Sequence, residues 1–184
     1  MKTETGFTVL ETLAIVLTFG ILAAICAPSI SRANHAYQLQ AAGQQIVQEV
    51  QRAKISAVGR STPQSLFFNT ANRTVIVNGT TFTLPDGIQF AALPSNLSAP
   101  SLIEQAAQNS AALPTQQSDA RSAISMPAVA TTQELRINTK GLPNVEPGVV
   151  NWIYLTNREG QRAVITLTSA GSVAMLTLRD GVWK

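Results

Sequence analysis

Residues 7–27 form an apolar run of 21 positions with one charged side chain, Glu11, near its start. As a helix this run would extend about 32 Å, enough to cross the ~30 Å hydrocarbon core of a bilayer. It outruns the roughly 7–15-residue apolar core of a cleaved secretory signal, and Pro28 occupies the exit where such a signal would be cut. After Pro28 the pattern turns amphipathic. Leu39, Ala42, Ile46, Val50, Ala53 and Ala57 recur at spacings of three and four, with Gln40, Gln44, Gln48, Glu49, Gln51 and Arg52 between them. That periodicity predicts a helix with one buried stripe, continuing the apolar segment, with Pro28 and Gly20 as bends and an end near Gly59. The whole helix would run some 50 residues, about 75 Å at 1.5 Å per residue.

Beyond Ser61 the period drops to that of strands. Segments 65–69, 73–77 and 80–84 are rich in Phe, Val, Ile and Thr, and Asn78-Gly79 between the last two predicts a type I′ hairpin turn. Four more strands are expected at 134–138, 152–156, 163–168 and 172–178, punctuated by Lys140-Gly141, Glu159-Gly160 and Ala170-Gly171, which together read as an antiparallel meander. Segment 91–133 is dominated by Ala, Ser, Gln, Pro and Thr, with prolines at 94, 100, 114 and 127. So few large apolar side chains offset little chain entropy, and the expectation is an irregular insertion with a short helix at 102–112.

Composition changes this picture little. With 184 residues, one modest domain remains once the apolar segment is set aside. The net charge of +3 is spread over a chain only 12% charged, and no run of Lys or Arg marks a nucleic-acid or anionic-lipid footprint. Cys26 is the single cysteine, which excludes an intrachain disulfide and a thiolate metal site and leaves packing as its expected role. Lipid modification of that cysteine is disfavoured by Ile25, where a small residue is expected. His35 has no acidic residue near it in sequence, no triad or metal-ligand spacing occurs, and no Gly-rich phosphate loop is present. Neither enzymatic activity nor a cofactor is expected.

Glu11 is the residue that asks for an explanation. A carboxylate at the centre of a spanning helix costs on the order of 2.5–3.5 kcal/mol on insertion scales, which makes an intramembrane charge a functional candidate. Its place near the start of the run also allows a plain end-of-helix charge with its head in the interface.

A polar leader ending in Gly6, then Phe7-Thr8-Val9-Leu10-Glu11, then an apolar run closed by Pro28, resembles the class III signal of type IV pilins and type II secretion pseudopilins. The resemblance implies cleavage by a prepilin peptidase between Gly6 and Phe7 and methylation of the new amine of Phe7. It also implies a role for Glu11 in filament assembly, meeting the Phe7 amine of a neighbouring subunit. The division is then a leader at 1–6, a transmembrane and assembly helix at 7–28, and a periplasmic α+β domain at 29–184 carrying the 91–133 insertion. Ala41-Ala42-Gly43, the stretch from Arg52 to Ala57, the early hairpins, and the Ala163 to Gly171 strand and turn are similar to the GspH/FimT group of minor pilins. That group implies a pilin-like α+β fold, with the long helix packed on small antiparallel sheets. Its implied partners are other pilins or pseudopilins in a filament, the prepilin peptidase and an inner-membrane assembly platform. The expected function is that of a minor pseudopilin, anchored by a single pass in a bacterial inner membrane and then incorporated into a pilus or pseudopilus.

The alternative within the same group is a FimT-like minor pilin that binds DNA for uptake. Such members use a basic Gly-Arg-x-Arg element, whereas here Gly171 is followed by Ser172, Val173 and Ala174. DNA affinity rests on Lys and Arg neutralising phosphates. The candidate DNA contacts are therefore Arg158, Arg162 and Arg179, interleaved with Glu159 and Asp180, and secretion is the preferred reading over nucleic-acid binding.

Overall fold

The computed structural model describes residues 8–101, 103–105, 124–125, 128–129, 132–144, 150–179 and 181–184. One helix, α1 (Val9–Arg60), spans 52 residues and is unbroken through Gly20 and Pro28. Pro28 lies inside this helix, where its ring removes the single N–H that would bond the carbonyl four residues earlier.

The chain divides into two compact units, Met1–His35 and Ala36–Lys184. In the first, Val9, Leu10, Leu13, Val16, Phe19, Leu22 and Ile25 are all exposed along α1, and this helix is long and apolar enough to cross a membrane. Cys26 is exposed as well, so the packing role expected of it is not filled among the described residues.

The second unit is α+β. The expected stripe of Leu39, Ala42, Ile46, Val50, Ala53 and Ala57 is buried in full. Gly43 lies in the same buried seam, where a Cβ would come within 2.6 Å of Met175 Cε. Ten strands follow among the described residues: β1 (Gln64–Asn69), β2 (Thr74–Val77), β3 (Thr80–Thr83), β4 (Gln89–Phe90), β5 (Ala128–Val129), β6 (Thr132–Ile137), β7 (Val150–Thr156), β8 (Arg162–Thr168), β9 (Val173–Arg179) and β10 (Val182–Trp183). They form two antiparallel sheets, in the orders β3-β2-β1-β6-β5 and β10-β9-β8-β7-β4. The β2–β3 turn has φ of 52° at Asn78 and 79° at Gly79, the two left-handed residues a type I′ turn requires.

The first sheet has one buried face. Leu66 and Phe68 of β1, Val75 and Val77 of β2, and Leu135 and Ile137 of β6 point into the core with half-buried or exposed neighbours between them. In the second sheet every residue of β7 is buried, which occurs when both faces are covered. Ile153, Leu155, Ala163, Ile165 and Leu167 join the core formed by the α1 stripe and the first sheet. Trp152, Tyr154 and Val164 face the other way, against Leu93, Ala99 and Ile103.

That second core revises the expectation for the insertion. Residues 91–100 have irregular backbone, as expected, but Leu93, Ala99 and Ile103 are 3%, 8% and 0% exposed. The backbone amides of Ile103 and Glu104 bond the Pro100 carbonyl in a helical turn at 101 and 103–105; the remainder of the helix expected at 102–112 lies outside the described residues. The insertion expected at 91–133 stops short of its far bound, since Ala128, Val129, Thr132 and Gln133 already lie in β5 and β6, and its start and Ile124 are neighbours on one edge of β7. Phe90 pairs with Leu155, the Ala91 amide bonds the Tyr154 carbonyl, and the chain returns where Ile124 pairs with Ile153. Ends that close onto adjacent rungs make a long excursion compatible with a compact sheet.

Candidate functional site

Of the residues implied in processing and assembly, Gly6 and Phe7 lie outside the described residues. Glu11 is in the first turn of α1. There the first N–H groups of a helix have no partner in the helix itself, and Thr8 and Glu11 satisfy two of them reciprocally. The Thr8 amide donates to Glu11 Oε2 at 2.9 Å, and the Thr8 hydroxyl donates to the same oxygen at 3.1 Å. The Glu11 amide in turn donates to Thr8 Oγ1 at 3.3 Å. This is a capping box, whose signature is Thr-x-x-Glu. The spacing was legible in the sequence, and the resemblance drew attention to Glu11 while passing over Thr8. Further along the apolar run, the Thr12 hydroxyl donates to the Thr8 carbonyl and the Thr18 hydroxyl to the Ala14 carbonyl, so neither hydroxyl proton is left unsatisfied on the apolar surface.

The three candidate DNA contacts share one end of the second sheet. Arg158 stands in the β7–β8 turn and Arg162 opens β8 opposite Thr156; with Ala163 opposite Thr177, the register brings Arg179 at the end of β9 to the same end. Arg158 is exposed and lies over Gly87, where φ is +87° and a Cβ would come within 2.9 Å of its Nε. Arg162 is half-buried and donates to the Ala92 carbonyl at 3.3 Å; desolvation lowers its pKa, yet a guanidinium remains charged throughout the physiological range. Arg158 and Arg179 have no side-chain hydrogen bond or ion pair among the described residues. Glu159 sits in the same turn as Arg158, and Asp86, beside Gly87, pairs with Arg73 at 3.4 Å.

The Gly171 turn is at the opposite end of these strands, about 20 Å away at roughly 3.3 Å per residue. What reaches it is Lys54 from α1, whose ammonium donates to the Gly171 carbonyl. No spacing in the sequence could have shown that pairing across 117 positions. Among the described residues no group of three or more His, Cys, Asp or Glu is placed to hold a metal ion.

Fold and site thus define an α+β protein of two antiparallel sheets on a long helix whose amino-terminal half could span a membrane. No protein-family model, curated protein or solved structure matches the chain.

Proposed function

We propose that the chain is a minor pilin-like subunit of the GspH/FimT kind, which acts in assembly of a type II secretion pseudopilus or a type IV pilus-like filament and has no catalytic activity of its own. The observation that carries this proposal is the first turn of α1: a single carboxylate, Glu11, at the head of an exposed apolar helix. A charge there is tolerable when an opposite charge meets it, and such a pair sets the register between otherwise featureless apolar helices. The second unit offers supporting detail. Tyr37 and Ile55 are 71% and 72% exposed and are five helical turns apart, on the face of α1 opposite buried Ile46. The helix therefore seats one side on the sheets and leaves apolar groups on the other for neighbouring helices.

In this proposal a prepilin peptidase cuts between Gly6 and Phe7, the Phe7 amine is methylated, and the subunit waits in the inner membrane with its C-terminal domain in the periplasm. An assembly platform then moves it into the filament. Intact-mass measurement of the protein from cells tests the first step. The expected product begins at methylated Phe7, and replacing Gly6 with a bulky residue should leave precursor in the membrane. A mature terminus after Ala27 would instead identify an ordinary secretory signal and end the pilin reading.

A second reading, a DNA-binding minor pilin, draws on the clustering of Arg158, Arg162 and Arg179 at one sheet end. Against it stand the neighbouring Glu159 and Asp86 and a Gly171 turn whose attendant cation, Lys54, is already bonded to the backbone.

A further inference from the structure

We propose that the end of the second sheet carrying Arg158, Arg162 and Arg179 docks on anionic lipid headgroups of the bilayer that holds the apolar run of α1. The proposal rests on that run lying in a membrane and not on the filament reading. Two contacts fix which end of the second unit this is. Gly43 meets Met175 and, further along α1, Lys54 reaches Gly171, so β9 runs antiparallel to the helix. From Met175, β9 leads on to Arg179, about 13 Å further from the Gly171 turn and toward the end at which α1 enters the unit at Ala36. β1 gives the same direction independently. It starts at Gln64, just past the end of α1 at Arg60, and runs back to Asn69. The turn after it carries Arg73, which pairs with Asp86 beside Gly87, and Gly87 is the residue over which Arg158 lies.

The arginines therefore share the end of the unit at which the chain arrives from the apolar run. Only residues 28–36 intervene, a length of about 14 Å at helical rise and at most about 32 Å if fully extended. Arg158 and Arg179 are exposed, and a guanidinium bonds a phosphate through two parallel N–H groups. Val182, paired with Arg179 in the β9–β10 hairpin, is 55% exposed and gives the cations an apolar neighbour for the boundary between headgroups and acyl chains. Glu159, and Asp180 next to Arg179 in sequence, offset part of the charge, so a polyanion free in solution gains little here. A tethered face differs. It meets the headgroups at an effective concentration on the order of millimolar, where a weak attraction is enough. No run of bases in the sequence marks this face, because its arginines come from a turn, a strand start and a strand end that only the register gathers.

The full chain carrying Cys26→Ser and Val182→Cys, labelled with a fluorophore at position 182, is inserted into nanodiscs of phosphatidylcholine alone or with about one third phosphatidylglycerol. Each disc holds a lipid with a nitroxide on its headgroup as quencher. Quenching should be about threefold greater in the anionic discs at about 50 mM salt and should fall to the neutral-disc level at about 500 mM. Arg158→Ala with Arg179→Ala should abolish the difference. Arg158→Lys with Arg179→Lys keeps the charge and should retain the difference to within about twofold. Equal quenching in neutral and anionic discs, or a difference that survives the alanine pair, overturns the proposal. So does displacement of the label from anionic discs by duplex DNA at physiological salt, which would give this face to nucleic acid. A chain that enters neither kind of disc has no membrane anchor, and the proposal falls with the anchor. Filaments play no part in the measurement, so failure of this face and failure of the filament reading are told apart.

Discussion

Gly43 shows how much a single missing side chain decides. A glycine inside a helix is disfavoured by about 1 kcal/mol relative to alanine, so its presence in the buried seam of α1 needs a packing reason. That reason is Met175 of β9, whose Cε and Sδ lie 2.6 and 2.7 Å from where a Cβ would stand. Gly43→Ala therefore sets a propensity gain of about 1 kcal/mol against a contact that the flexible end of half-buried Met175 can relieve by shifting, and a net change of less than about 1 kcal/mol is expected. Combining it with Met175→Ala should remove the contact, giving a coupling of about 0.5 kcal/mol in a double-mutant cycle followed by the fluorescence of buried Trp152 during denaturant unfolding. Additive effects would mean that the close approach does not constrain the residue. The helical spacing marked Gly43's neighbours as core, but no local pattern could tell that a strand 130 residues away needs the space.

At the scale of elements, the short terminal strand β10 does more than its two residues suggest. Its Trp183 donates from Nε1 to the Ser98 carbonyl at 2.9 Å, and its ring stands 6.0 Å from that of Tyr154, so it covers the outer core and pins the first arm of the insertion. The sequence predicts a strand ending at Leu178 and an insertion that buries little. Both expectations miss the same contact, because each segment is too short or too irregular to announce a partner. Trp183→Ala should cost on the order of 2 kcal/mol, less than the 3–5 kcal/mol typical of a fully buried tryptophan because this one is only half-buried. Cleavage by a protease within 91–105 should become correspondingly faster, and Trp183→Phe should lose only about 1 kcal/mol, the hydrogen bond alone. An unchanged cleavage rate for Trp183→Ala would show that the arm is held by Leu93, Ala99 and Ile103 without the latch.

For the whole molecule, the placement of charge separates the two functions considered. Three arginines gathered at one sheet end, beside Glu159 and the Arg73–Asp86 pair, make a mixed surface and not a continuous basic track. The full chain in micelles should therefore bind duplex DNA weakly, with affinity collapsing between about 50 and 200 mM salt. Tight binding at physiological salt that disappears when Arg158, Arg162 and Arg179 are changed to alanine, with secretion intact, would instead favour the DNA reading. Much of the architecture was legible beforehand. The extent of α1, its buried stripe, the Asn78-Gly79 hairpin and seven of the ten strands follow from local periodicity and turn chemistry, since each depends only on residues a few positions apart. The Thr8–Glu11 box belongs with them, written in a four-residue spacing. Tertiary structure alone decided the pairing of β1 with β6 and of β4 with β7, the seating of the insertion on the outer face of the second sheet, and the reach of Lys54 to Gly171. The two strand pairings and the Lys54 contact join segments more than 60 residues apart, where pairing is chosen by the competition of whole faces for burial and no local pattern encodes the winner.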